Sequence, residues 1–490
     1  MDSGEVLRTH STEEGGEPQG SRREAATIST GGKGGTAGRI EKVSPERGSE
    51  PGQSGQRTLA RLSELAKEDP ARRFSSIAHW LTPEALYEAF RRLRKKAAEG
   101  VDEVTYQDYE KRAIENIQKL WESLRNKTYR AQPLRRIYIP KEDGRERPIS
   151  IPVLEDKIVQ KACVQLLNAI FEVDFLPCSY GSRPGRHPHL ALDELDRIIF
   201  RESITHVLEL DIVSYFDAIV RKHLMEMIER RVTDKSILRL IGKWINVGAI
   251  DEGRLLVTEN GVGQGQVISP FLANVYLHYI LDQWFEDEVK PRLAGKAYLV
   301  RYVDDAVICF QRKEDAQKVQ EVLGKRFGKY GLTLHPEKTR LVEFGRSALE
   351  KAEKEGQRPA TFDFLGFTHI SARSWRGKFT IKVKTSKKRL RRSLKRVALW
   401  CKRARHRPLV EQHATLNSKL RGHYQYYGRG SNYRSLAQFR CGVCKLWRKW
   451  LSRRTRGTVL LWDKYNRLLQ RYPLELPRIT HAYVSKRSPS

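Results

Sequence analysis

Apolar residues are sparse in residues 1–57, a stretch rich in Gly, Ser, Glu and Arg, and become regular only from Leu59 onward. A composition of that kind cannot bury enough surface to offset the entropy of ordering, so residues 1–57 read as a disordered tail. The first clean helix is expected after Thr82. Thr82 is placed to cap it, Pro83 takes its first position, and Leu86, Phe90 and Leu93 fall on one face. Residues 135–151, R-R-I-Y-I-P-K-E-D-G-R-E-R-P-I-S-I, read as two strands joined at Asp143-Gly144, a dipeptide suited to a tight hairpin turn. Lys141, Arg145 and Arg147 would sit near its tip. Mixed helices and short strands continue to about residue 370, and basic helices follow. Leu390, Leu394, Val397 and Cys401 share one helical face, and Leu436, Phe439, Val443, Trp447 and Trp450 share another. The pattern divides the chain into 1–57, 58–370 and 371–490, without an internal repeat.

Charge sharpens the last boundary. The 490 residues carry a formal charge of +32, yet residues 371–490 hold 33 Lys and Arg against only Glu411, Asp463 and Glu475. The remainder is almost balanced, 58 against 56. A basic block of this density suits a polyanion, although a solvated helix face has the same composition. Trp375, Trp400, Tyr424, Tyr426, Tyr427, Trp447, Trp450 and Trp462 alternate with the basic residues, adding stacking surfaces to phosphate neutralisation. Hydrophobic residues make up 39 % of the chain, enough for two or three cores.

Six cysteines in this length do not form the dense framework of a small secreted protein, which points to a reducing compartment. Cys441 and Cys444 make one C-x-x-C without a second ligand pair, and their spacing puts both on one helix, where core packing is expected. No run approaches the roughly 18 apolar residues of a membrane span, and the N-terminus lacks a secretion signal's apolar core. The early acids Asp2, Glu5, Glu13, Glu14 and Glu17 argue against a transit peptide.

The chemistry concentrates in two acidic segments. Y-V-D-D at 302–305 lies between L-V-R and A-V-I-C-F, so two apolar strands flank a turn carrying adjacent carboxylates. Their repulsion is relieved by divalent cations, which as hard ions prefer carboxylate oxygen; alone, the same pair is equally a solvated turn. Upstream, V-L-E-L-D-I-V-S-Y-F-D at 207–217 has the form of a buried strand running into Asp211, with Phe216 five residues on. One carboxylate at a strand end and a pair in a hairpin turn are the minimum for holding two metal ions about 4 Å apart for in-line displacement at phosphorus. Asp217 is the alternative, with a helix cap as its other role.

These segments resemble motifs A and C of the right-hand polymerases, specifically of reverse transcriptases. G-V-G-Q-G-Q-V-I-S-P at 261–270 resembles motif B, with Gln264 and Ser269-Pro270 at matching positions; relatives usually carry Pro at Gly263, Gly at Gln266 and Ala at Val303. G-L-T-L-H-P-E-K-T at 331–339 resembles motif D and F-D-F-L-G-F at 362–367 the primer grip. The resemblance implies an α+β fold, with fingers and an antiparallel-sheet palm over 58–370, followed by an α-helical thumb. It implies nucleotidyl transfer at Asp211, Asp304 and Asp305 with two Mg2+ ions, or Mn2+ in their place. Lys141 and Arg147 would hold the triphosphate with Gln264, Phe216 would exclude a ribose 2′-hydroxyl, and Lys338 would serve as general acid unless it is only a surface cation.

L-N-S-K-L-R-G-H-Y-Q-Y-Y-G at 416–428, P-R-I-T-H-A-Y at 477–483, G-V-D at 100–102 and S-Y-G-S-R-P-G-R at 179–186 resemble bacterial group II intron-encoded proteins. That likeness implies a maturase region in 371–490, with Arg389, Arg392, Arg396, Arg421, Tyr424, Arg448 and Lys449 on RNA or DNA. The implied partners are group II intron RNA, an RNA template, a DNA primer or target and deoxynucleoside triphosphates, in a bacterial cytoplasm near the nucleoid. The chain ends before the H-N-H nuclease of many members, so second-strand cleavage is expected to be absent. Two alternatives stay open: a retron- or diversity-generating-type enzyme without an intron, and an RNA-binding splicing factor that does not copy.

Overall fold

The computed structural model describes residues 53–140, 146–454 and 459–481. Lys141, the Asp143-Gly144 turn and nearly all of the stretch assigned to the tail lie outside the described residues. The helix Gln53–Glu68 starts four residues before the expected end of that tail at 57, because its apolar positions Leu62 and Ala66 have a core to enter. Thr82 caps as its position predicts. Its hydroxyl accepts from the Ala85 N–H at 3.3 Å, Pro83 opens the helix Pro83–Arg91, and Leu86 and Phe90 are buried. These helices pack on Leu154–Phe171, which is buried on most sides and carries Asp156, Lys157 and Gln160 into the interior along with its apolar residues.

Three sheets organise the rest. In the fingers, Leu134–Pro140 pairs antiparallel with Glu146–Ile151 and parallel with Ala249–Asp251, which pairs in turn with Arg254–Leu256. In the palm the order is Ala297–Tyr302, Asp305–Phe310, His206–Leu210, Arg340–Glu343, all antiparallel. The third sheet joins Thr361–Phe364, Phe367–Arg373 and Phe379–Thr385. It crosses the boundary placed at 370/371, and helices begin only at Lys387. The strand Phe379–Thr385 alternates strictly, with Ile381 and Val383 buried between exposed lysines, a period-2 signal hidden inside a basic block.

Helices Lys387–Ala404, Leu409–Tyr427 and Tyr433–Leu451 enclose a separate core, with Val397, Cys401, Leu436, Phe439, Val443 and Trp447 buried on the faces that the 3.6 period marks. Tyr424 belongs to this core as well. It is fully buried and its hydroxyl donates to the Glu475 carbonyl, so it offers no face to a nucleic acid. Cys441 is exposed although Cys444 is part-buried, because a three-residue step on a helix carries Cys441 past the edge of the packed face.

His369, on Phe367–Arg373, is fully buried and stacked on Phe362 at 4.8 Å; burial, with the Arg429 charge adding, pushes its pKa down to about 3. Below the ordinary histidine value the unfolded chain takes up a proton that the folded chain refuses, so stability is lost as pH falls. Between pH 7 and pH 5 the wild type should lose about 2 kcal/mol relative to His369→Phe, taking the unfolded histidine at about 6.5. Denaturant unfolding of both proteins at the two pH values checks this, and parallel pH dependences would contradict it.

Candidate active site

Strand register brings the acidic segments together. Leu210 pairs with Ala306 and Tyr302 with Asp305, so Asp211, one residue past Leu210, reaches the turn that carries Asp304 and Asp305. Val303, at the apex, has φ of 59°, a left-handed conformation that a β-branched residue adopts only under constraint. All three carboxylates are part-buried. Burial is the first cause raising Asp304, with the Asp211 charge adding to it and Arg147 opposing. Asp305 is pushed up to about 7, first by burial and then by the neighbouring Asp304.

The carboxylates do not all point into one space. Asp211 Oδ2 meets Lys338 Nζ at 2.7 Å, and Asp305 Oδ2 accepts from the Leu365 N–H at 3.2 Å. Asp305 thereby ties the Y-V-D-D turn to the 362–367 segment, where Leu365 has φ of 50° and its carbonyl accepts from the Tyr426 hydroxyl. Among the described residues no three acidic, His or Cys side chains converge as a ready-made ion cage. The donor set nonetheless fits hard divalent cations. It consists of mutually repelling carboxylates, and the residue that neutralises Asp211 is an ammonium, which a cation would replace.

Phe216 is positioned by a turn that begins with Ser214 at φ 45°. The Phe216 carbonyl accepts from Val262 N–H at 2.9 Å and the Tyr215 hydroxyl donates to the Ala273 carbonyl, locking motif A against the Gly-rich loop. In that loop the Gln264 carbonyl accepts from Ser150 N–H at 2.7 Å, and a side chain at Gly265 (φ 121°) would come within 2.6 Å of the Ser150 carbonyl. Glycine is required here by the fingers strand rather than by a ligand. Gln266, the departure from the motif, is buried; its amide donates to the Trp244 carbonyl at 3.0 Å and accepts from Gln160 at 2.8 Å. Gln160 also accepts from Val267 and Ile268 N–H. The loop is thus pinned by side chains, and a glutamine here stiffens it.

Arg389, Arg392 and Arg396 lie on one face of Lys387–Ala404, and Arg389 packs beside Gly366 close enough for its charge to act on Asp305. Lys449 is exposed. Arg421 is paired with Glu475 at 2.8 Å, and Arg448 lies 4.1 Å from the Trp462 ring centre while donating to the Leu460 carbonyl, so both already serve the thumb's own packing. Residues missed from the sequence include Gln160 and Arg301, both buried polar groups; Arg301 stands inside an apolar strand, whereas Gln160, between Lys157 and Lys161, carries no such signal. No described helix is long and apolar enough to cross a membrane.

The family model described as reverse transcriptase (RNA-dependent DNA polymerase) matches residues 139–369. Similar proteins include Protein YkfC of Escherichia coli K12, 37 % identical over 48 % of this chain and 63 % of its own length. The group II intron-encoded protein LtrA of Lactococcus lactis is 32 % identical over 45 % of this chain and 37 % of its own. An uncharacterized 91 kDa protein in the cob intron of Schizosaccharomyces pombe is 37 % identical over 36 % and 21 %. The chain therefore spans less than two thirds of the length of each of these relatives.

Proposed function

We propose that this chain, whose residues 139–369 match the reverse transcriptase family model, copies RNA into DNA and also binds its own group II intron RNA to promote splicing. The observation that carries the first part is the arrival of Asp211, from one palm strand, at the turn holding Asp304 and Asp305, with Phe216 and the Gly-rich loop alongside. The second part rests on the intron-encoded relative and on the basic thumb.

Asp211, Asp304 and Asp305 would hold two Mg2+ ions, which when bound supply charge stabilisation to the attacking and leaving oxygens of an in-line displacement. The primer 3′-oxygen forms the new bond to the α-phosphorus as the bond to pyrophosphate breaks. Arg147, on the fingers hairpin and near enough for its charge to act on Asp304, reaches over the site to bind the triphosphate together with Lys141. Lys338, which pairs with Asp211, would give a proton to the departing pyrophosphate once that carboxylate is otherwise engaged. The 120 residues from 371 onward grip structured RNA by phosphate charge and shape and add no catalytic group of their own. The setting proposed is the bacterial cytoplasm, near the nucleoid.

Phe216 tests the choice of sugar. Phe216→Ala should relax discrimination against ribonucleotides by roughly 10- to 200-fold, the scale of a steric pocket contact, read as the ratio of kcat/KM for deoxy- and ribonucleoside triphosphates on one RNA template. An unchanged ratio would remove Phe216 from the nucleotide site.

A further inference from the structure

Arg301 lies two residues before the apex of the Y-V-D-D turn and is fully buried, as is Asp282, its ion-pair partner. The guanidinium uses every arm. Nε donates to Asp282 Oδ1 at 2.6 Å, a second nitrogen to Asp282 Oδ2 and to Ser179 Oγ at 2.8 Å, and the third to Asn274 Oδ1 at 3.0 Å and the Val303 carbonyl at 2.9 Å. That last acceptor belongs to the residue at φ 59°, immediately before Asp304. The Asn274 amide donates to the Gly181 carbonyl, and Gly181 closes the turn from the opposite side: a Cβ there would lie 2.4 Å from Val303 N. The backbone joins in, with Tyr180 N–H donating to Arg301 O and Arg301 N–H to Cys178 O, both at 2.8 Å. Asp282 itself sits where the helix that begins at Ser269 widens, Gln283 N–H bonding back to His278 O, five residues before it.

A lone ion pair this deep contributes little to stability, because desolvation offsets most of the attraction. Its geometric consequence is larger. Three segments meet on one planar fork, the loop at Ser179, the helix carrying Asn274 and Asp282, and the turn at Val303, and the turn that the fork touches is the one that aims Asp304. We propose that Arg301 is a positioning residue for catalysis: with Asp282, Asn274 and Ser179 it clamps the Val303 carbonyl, holds the apex in its left-handed conformation and so sets the direction of the Asp304 carboxylate. A lysine keeps the charge but not the fork, and cannot reach Asp282, Ser179, Asn274 and Val303 at once. This inference rests on the copying function proposed above, and its test is chosen to stand apart from it.

The test compares wild type, Arg301→Lys and Gly181→Ala in the full chain. Three readouts are taken: primer extension on an RNA template, Mn2+ binding by electron paramagnetic resonance without nucleotide, and affinity for the RNA–primer duplex. Gly181→Ala displaces the turn sterically and removes no charge, so it decides the matter if Arg301→Lys does not fold. The expected result for each variant is a loss of extension of at least tenfold, carried in kcat rather than in KM for nucleotide. Mn2+ half-saturation should rise several-fold and duplex affinity should stay within twofold. Adding Val303→Gly to Arg301→Lys should recover part of the loss, since glycine takes the left-handed conformation without constraint. Wild-type kcat and Mn2+ affinity in a folded variant, whatever its melting temperature, would overturn the proposal. If wild type itself extends no primer, the copying function fails, and the Mn2+ comparison still decides whether Arg301 aims the turn.

Discussion

Asp304→Ala should lower primer extension by roughly a thousandfold or more while leaving RNA affinity unchanged. The scale follows from several kcal/mol of charge stabilisation at about 1.4 kcal/mol per tenfold in rate. Asp304 is the cleaner choice among the three carboxylates. Asp305 also holds the Leu365 N–H, so replacing it loosens the junction between the palm and the 362–367 segment; Asp211 is paired with Lys338, so replacing it releases a cation into the site. Asp304 carries neither structural duty among the described residues, and its raised pKa reflects burial beside like charge. A comparable loss in Asp305→Ala would come with a lower unfolding temperature, whereas Asp304→Ala should unfold like the wild type. Single-turnover extension, with duplex affinity measured on the same preparations, checks both statements.

The second large effect concerns grip on nucleic acid. Replacing Arg389, Arg392 and Arg396 together by Gln should reduce the slope of log affinity against log salt by about 2 to 3, at roughly 0.7 to 0.9 for each phosphate no longer neutralised. These three stand three and four residues apart on the helix Lys387–Ala404, so they form one stripe about 10 Å long that starts beside Gly366. Arg421→Gln, at a residue paired with Glu475 and off this stripe, provides a comparison and should alter the slope less. Filter binding over a salt series reads both; equal slopes for the triple variant and wild type would take the stripe off the nucleic-acid path.

Much of this site is legible in the sequence because it is built from short segments with local signals. A buried strand ending in Asp211, a hairpin turn with two carboxylates and a Gly-rich loop before a helix each announce themselves by composition and period. What stays hidden depends on packing between distant segments. Tyr424 reads as a stacking surface because aromatic and basic residues alternate around it, yet the 3.6 period puts it on the same face as Leu416 and Leu420, inside the thumb core. The strand Phe379–Thr385 is masked by its lysines, although its alternation is clean. Arg301 looks like one more basic residue ahead of an acidic turn; nothing local says that Asp282, Asn274 and Ser179 converge on it. Gln266 departs from the family's glycine, and only the fold reveals the glutamine and carbonyl that receive it.

The most direct measurement is extension of a DNA primer on a heteropolymeric RNA template by the wild-type chain with Mg2+ and the four deoxynucleoside triphosphates. The expected product is full-length complementary DNA, dependent on the divalent cation and lost in Asp304→Ala. Tight binding of the template with no extension would contradict it, and would leave the acidic turn without the chemistry assigned to it.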